Sequence, residues 1–178
     1  SYHMSWNGVT AEAHLISEIT DIREKEKVLS EFAYRDSLTN LYNRRYGLDV
    51  IQQYVKNGNP FIIAFCDMDY LKYCNDQFGH EEGDRYILGV SQFLSSMPIE
   101  KIVCRAGGDE FLVIVVDIQE NILYAELEKV QKQVQQMPVP EHYCCMRNLS
   151  FGIAVYRHLL VAVRLYIKNV VLLQIVVR

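Results

Sequence analysis

An α+β fold, a single sheet with helices packed on it, is predicted by three stretches of the sequence. Residues 61–70, FIIAFCDMDY, form an apolar run that ends in acid, as a buried strand does when it surfaces at its C-terminal end. Residues 101–117, KIVCRAGGDEFLVIVVD, read as two strands around a Gly-Gly turn. Residues 121–137, NILYAELEKVQKQVQQM, place Ile122, Leu123, Leu127, Val130 and Val134 on one face at helical spacing. Strands and helices in this mixture, within 178 residues that are 50% hydrophobic, suit one domain with a real core and an appendage. The net charge is −4 and no long basic run occurs, so a nucleic-acid groove is not expected.

The remaining elements follow in chain order. Residues 1–4, Ser-Tyr-His-Met, look like a cloning remnant and are set aside. Residues 10–22 group Leu15, Ile16 and Ile19 in an alternating pattern and predict a strand. Residues 23–35, REKEKVLSEFAYR, have the charge density and spacing of an amphipathic linker helix. Residues 36–60 read as a turn and then a helix, with Asp36 or Ser37 as its cap and Asn-Gly-Asn-Pro ending it. Residues 71–97 predict a helix, a Gly-His turn and a second helix. After the helix at 121–137, residues 143–156 return as a strand. The last stretch, 159–178, is rich in β-branched residues, and Arg164 and Lys168 inside it argue against a membrane span. Five cysteines with no CxxC spacing point to a reduced, cytoplasmic setting rather than to disulfides or a zinc site.

The chemistry concentrates in three places. Period two along 61–70 puts Asp67 and Asp69 on one face of the strand end. Asp109 and Glu110 follow Gly107 and Gly108 on what reads as an exposed hairpin tip, where glycine permits positive φ and brings bare backbone close to a bulky ligand. Carboxylates on a strand end and on a neighbouring turn can share hard cations such as Mg²⁺. That arrangement activates a hydroxyl and neutralises a transferring phosphate. Asn75 and Asp84 flank the turn between two helices; a carboxylate accepts from guanine N1–H and the 2-amino group, and an amide can meet O6 or N3. Lys72, early in the first of these helices, is a candidate for phosphate.

Four motifs in order resemble the GGDEF family of diguanylate cyclases: DSLTNLYNRR (36–45), DMDYLKYCNDQFGHEEGD (67–84), RAGGDEF (105–111) and LSFGIAVY (149–156). The resemblance implies a nucleotidyl-cyclase, polymerase-palm-like sheet over residues 36–178. It implies condensation of two GTP to cyclic di-GMP and two pyrophosphates across a homodimer. Asp67, Asp109 and the Met68 carbonyl would hold Mg²⁺, with Mn²⁺ as an alternative, and Glu110 beside them is counted with the metal residues. One of Asp109 and Glu110 would help to deprotonate the 3′-hydroxyl. Asn75 and Asp84 would recognise guanine, and Lys72 would meet phosphate. An Asp at 84 favours GTP over ATP, because adenine lacks both donors. Residues 5–22 resemble the end of a PAS sensor domain, which implies an upstream sensor joined through the 23–35 helix.

Two places depart from the family pattern. The R-x-x-D product-inhibition site is replaced by Pro98-Ile99-Glu100-Lys101, so feedback through it is not expected; Arg105 remains, as a contact to ligand or to a partner domain, or as a strand-edge charge. The tail 159–178 only echoes the expected basic helix, with Lys168 two residues after Tyr166. That departure gives a second reading, a catalytically silent GTP-binding module in a signalling protein.

Overall fold

The structure is a computed structural model, and it describes residues 33–141, 147–157 and 160–162. The 5–22 segment, nearly all of the 23–35 helix, Cys144, Cys145 and residues 163–178 lie outside the described residues. One compact unit begins at Asp36. Its six strands are β1 (Tyr42–Asn43), β2 (Phe61–Asp69), β3 (Ile102–Arg105), β4 (Glu110–Val115), β5 (Asn148–Arg157) and β6 (Leu160–Ala162). Its helices are α1 (Arg44–Asn57), α2 (Leu71–Phe78), α3 (His80–Ser96) and α4 (Glu120–Gln135). The sheet order is β1-β3-β4-β2-β5-β6, with β1 and β3 parallel and the other pairs antiparallel.

Helices cover both faces of β2, which is why its apolar run is nearly continuous. Ile62, Ala64, Cys66 and Met68 face the larger core with Tyr86, Val90 and Leu94 of α3 and Leu123, Leu127, Val130 and Val134 of α4. Phe61 and Ile63 face the smaller core with Val50 of α1, Cys104, Leu112 and Ile114. Continuing that alternation carries Asp67 and Asp69 together past the end of the smaller core.

Gly47 lets α1 lie close, since a Cβ there would come within 3.0 Å of Cys104 Sγ and Leu112 Cδ2. The helix ends as expected: Gly58 is left-handed (φ 69°) and its N–H bonds back to the last turn. Its start corrects the sequence reading. The N-cap is Asn43, whose side chain accepts from the Tyr46 N–H at 3.2 Å, because β1 intervenes after Asp36 and Ser37. One further difference emerges. Ile122 is 43% exposed and stands off the buried face of α4, while Leu123, Leu127, Val130 and Val134 do pack. Strand β5 is described over Asn148–Arg157, and residues 143–146 of the expected 143–156 strand lie outside the described residues.

A buried ion pair ties α3 to the start of β5. Arg147 is 3% exposed, bonds Glu82, and lies over the Tyr86 ring with 4.9 Å to its centroid. Glu82 also receives Arg85 at 2.8 Å. Among the described residues no helix is long and apolar enough to cross a bilayer; residues 163–178, where the sequence raises the question of a span, lie outside them.

Candidate active site

The two acidic segments meet at one edge of the β2–β4 ladder. Asp67 lies directly opposite Glu110 on β4 and opposite Ser150 on β5. The Met68 N–H donates to the Asp109 carbonyl at 3.0 Å, which extends the ladder one step into the turn. Asp109 and Glu110 are therefore half-buried; the expected exposed tip is found only at Gly108. Neither glycine of the turn takes positive φ, against expectation. The Ala106 and Gly107 N–H groups bond the Glu110 carbonyl at 2.8 and 3.3 Å, which closes the turn without a left-handed residue. What Gly107 supplies is room, since a Cβ there would be 2.8 Å from Glu110 Oε2. At Gly108 a Cβ would meet nothing within 4 Å, so that face of the turn is open.

Partial desolvation, then the negative charges of Asp109, Asp69 and Glu110, push the Asp67 carboxyl up to about 6 from 3.8. Folding thus gathers carboxylates that repel one another. The folded chain binds more protons than the unfolded one between those two values, so stability falls as pH rises through that window. Asp67 is more than a third exposed and water screens it, so we expect the loss to be no more than about 1 kcal/mol. Asp67→Asn should remove that slope, and Mg²⁺ should oppose it in the wild type. Thermal unfolding at pH 5 and pH 7.5, with and without Mg²⁺, checks both; an identical midpoint shift in wild type and Asp67→Asn would contradict this account.

A divalent cation fits this donor set, which is hard oxygen with excess negative charge. Among the described residues no three His, Cys, Asp or Glu side chains converge closely enough to cage a metal by themselves. Mg²⁺ is commonly held by one or two carboxylates with substrate phosphates completing its shell, and the open Gly108 side leaves space for them.

Arg105 is a turn staple rather than a strand-edge charge. Its Nε donates to the Gly107 carbonyl at 3.1 Å and its Nη2 to the Gly108 carbonyl at 2.8 Å. Its Nη1 meets Asp36 at 3.2 Å. Asp36 is held in turn: its Oδ1 accepts from the Thr39 N–H at 2.8 Å and from Thr39 Oγ1 at 2.7 Å. Although burial pushes the Asp36 carboxyl up, the Thr39 hydrogen bonds and the Arg105 guanidinium hold it below its usual range. The DSLT and RAGGDEF motifs are thereby one structure. On the activity that the sequence resemblance implies, Arg105→Ala, which frees the turn that carries Asp109, should lower kcat about tenfold or more with a smaller change in KM, since misplacement of reacting groups acts mainly on the transition state. Steady-state kinetics decides; an unchanged kcat would sink the staple's role.

Helix α2 starts directly after β2. Its cap, Tyr70, is left-handed (φ 62°) and 55% exposed, a conformation that costs about 1–2 kcal/mol for a non-glycine residue. That turn sets α2 against the acidic strand end, with Lys72 exposed and Asn75 half-buried. Asp84 is exposed in the first turns of α3. Gly83, beside it, is where the two helices meet: a Cβ there would lie 1.8 Å from Asn75 Oδ1. Within residues 98–101, Lys101 Nζ is spent on the Met97 and Ile99 carbonyls at 2.6 and 3.3 Å.

Sequence reasoning missed Asn148, Ser150 and Tyr86, which bracket the end of β2. Ser150 Oγ donates to Asp69 at 2.9 Å, and Asn148 Nδ2 also donates to Asp69. Ser150 stands inside the quoted LSFGIAVY motif, which was the available signal.

Sheet order, acidic edge and paired helices define a palm-like cyclase domain, and the comparisons with known proteins agree. The chain belongs to the family described as "Diguanylate cyclase, GGDEF domain", which matches residues 33–166. It is 33% identical over 122 residues to "Diguanylate cyclase DgcP" of Escherichia coli, covering 66% of this chain and 36% of that protein. Against "Signaling protein YkoW" of Bacillus subtilis it is 28% identical over 149 residues, covering 79% and 18%. The chain thus spans about a third or less of the curated relatives it matches. Among solved structures, the coiled coil and GGDEF domain of DgcB from Caulobacter crescentus superposes with a TM-score of 0.69 at 24% identity, covering 85% and 84% of the two chains; this shows the fold. Diguanylate cyclase SiaD of Pseudomonas aeruginosa, solved with its activator SiaC, gives 0.66 at 26% identity, covering 86% and 63%.

Proposed function

We propose that the protein is a diguanylate cyclase that condenses two GTP into cyclic di-GMP and two pyrophosphates. The observation that carries this reading is the pairing of Asp67 with Glu110, with Met68 bonded to Asp109. In each half-reaction the 3′-hydroxyl oxygen of one GTP attacks the α-phosphorus of the other. The bond to the β-phosphate bridging oxygen breaks, pyrophosphate leaves, and the hydroxyl proton passes to a base. Asp109 and Glu110 are the candidate bases. Asp67, Asp109 and the Met68 carbonyl would hold Mg²⁺ or Mn²⁺, which when bound polarises the phosphate and offsets the developing charge. Asn75 and Asp84 read the guanine edge, and Lys72 neutralises phosphate.

Each domain supplies one GTP, so a homodimer closes the reaction, and an upstream sensor in the cytoplasm would set how often two domains meet. Purified protein incubated with GTP and Mg²⁺ should yield cyclic di-GMP by mass spectrometry. No product at high protein concentration, even in a forced dimer, would overturn the reading. The departure of residues 159–178 from the family pattern favours one alternative, a silent GTP-binding module. Calorimetry would then show GTP binding without turnover.

A further inference from the structure

We propose that Asp69 is a positioning residue that pins the β2–α2 junction to β5 and so aims Asp67, and that it is not itself a metal ligand. This rests on the reading of the site as a metal-dependent nucleotide site. Asp69 shares a strand face with Asp67, and from charge and spacing alone both would be ligands. Their surroundings differ. Asp69 is already engaged as an acceptor by two donors of β5, Asn148 Nδ2 and Ser150 Oγ, the latter at 2.9 and 3.1 Å to its two oxygens. Asn148 is itself fixed: its Oδ1 accepts from Gln135 Nε2 of α4 at 2.8 Å. Its backbone closes on Tyr86, whose hydroxyl donates to the Asn148 carbonyl at 2.7 Å and accepts the Asn148 N–H at 2.9 Å. The same hydroxyl lies 3.2 Å from the Asp69 carbonyl.

Both ends of Asp69, side chain and main chain, are therefore tied to one buried post on α3. The next residue, Tyr70, takes the left-handed turn that launches α2 with Lys72 and Asn75. Asp67, two residues back, has acidic neighbours and sits exposed. The geometry thus divides the labour: Asp67 is offered to a cation, while Asp69 holds its donors.

A side-chain exchange separates the two roles. Asp69→Asn removes the negative acceptor and turns an amide toward the amide of Asn148. The double variant Asp69→Asn/Asn148→Asp restores every bond: the new amide at 69 donates to the new carboxylate at 148, which still accepts from Gln135, and Ser150 still has an oxygen to meet. The full chain is compared as wild type, Asp67→Asn, Asp69→Asn and the double variant. Three readouts are taken: turnover of GTP, Mn²⁺ binding by electron paramagnetic resonance with an α,β-methylene GTP analogue, and hydrogen exchange over Met68–Leu71 without ligand.

Asp69→Asn should lower kcat by about tenfold to a hundredfold, raise exchange at the junction, and retain weakened Mn²⁺ binding. The double variant should recover all three to within about threefold of wild type. Asp67→Asn should lose Mn²⁺ binding with exchange unchanged. A double variant as impaired as Asp69→Asn, or an Asp69→Asn variant that loses Mn²⁺ as Asp67→Asn does, overturns the proposal, as does an Asp69→Asn variant indistinguishable from wild type. Should Asp69→Asn fail to fold, the double variant folding decides for the pin and its failing decides against. A wild type without turnover refutes the cyclase reading alone, because the exchange measurement still judges Asp69.

Discussion

Asp109→Ala is expected to reduce cyclic di-GMP formation by at least about a hundredfold to a thousandfold, the scale seen when one charge-stabilising group is removed from a reacting centre. The Asp109 main chain would remain in place, because its carbonyl accepts the Met68 N–H at 3.0 Å and Arg105 braces the preceding glycines. Only the carboxylate is lost. That side chain is half-buried in a cluster of like charges, so thermal stability should stay within about 1 kcal/mol of wild type at pH 7.5. Glu110→Ala should act similarly on turnover, since Glu110 faces Asp67 across the ladder. Product formation by chromatography and unfolding by circular dichroism check both halves. Retained turnover would remove Asp109 from the mechanism, and loss of cooperative unfolding would show that the carboxylate is structural. A raised Mg²⁺ concentration for half-activity, with turnover recovered at saturating Mg²⁺, would place the defect in metal binding; a lowered kcat at an unchanged Mg²⁺ requirement would instead identify a base.

Much of this site was legible because its signals are local. The period of two in Phe61–Asp69 is sufficient to send Asp67 and Asp69 to one face, and the short turn between β3 and β4 is enough to predict their hairpin; the β2–β4 pairing that sets Glu110 opposite Asp67 is long-range and came only from the structure. What escaped depends on partners distant in sequence. Asp36 reads locally as a helix cap, yet its charge serves Arg105, on the far side of three helices in the chain. Asp69 reads as a second ligand until Asn148 and Ser150 are placed beside it. The two-residue β1 has no periodicity to detect, and its parallel pairing with β3 displaced the expected cap to Asn43. Ile122 satisfies a helical spacing, but spacing does not say where the covered arc ends, and the buried arc of α4 begins at Leu123. The glycine pair was expected to serve positive φ and close ligand approach; neither residue takes positive φ, and at Gly107 the structure adds a requirement for space beside Glu110. In each case the residue type was informative and its purpose was set by tertiary contact.

Gly83→Ala should move recognition and stability in opposite directions. Gly83 is buried within α3, where replacing glycine by alanine normally gains up to about 1 kcal/mol of helix propensity. The added Cβ would stand 1.8 Å from Asn75 Oδ1, a distance no pair of atoms can keep. The object in the way is the tip of a side chain rather than backbone, so Asn75 can swing aside and the α2–α3 pair can survive. Its amide then no longer points where guanine would be read. Loss of a base-edge hydrogen-bonding group costs about 1–3 kcal/mol, so KM for GTP should rise roughly tenfold to a hundredfold while kcat at saturation changes less. The unfolding midpoint should hold or rise slightly. Asn75→Ala, which removes the same amide without the added methyl, should reproduce the kinetic defect and add little to Gly83→Ala in the double variant, because both act on one group. An unchanged KM in Gly83→Ala would show that Asn75 does not read the base, and additive defects in the double variant would show that Gly83 acts on something other than Asn75.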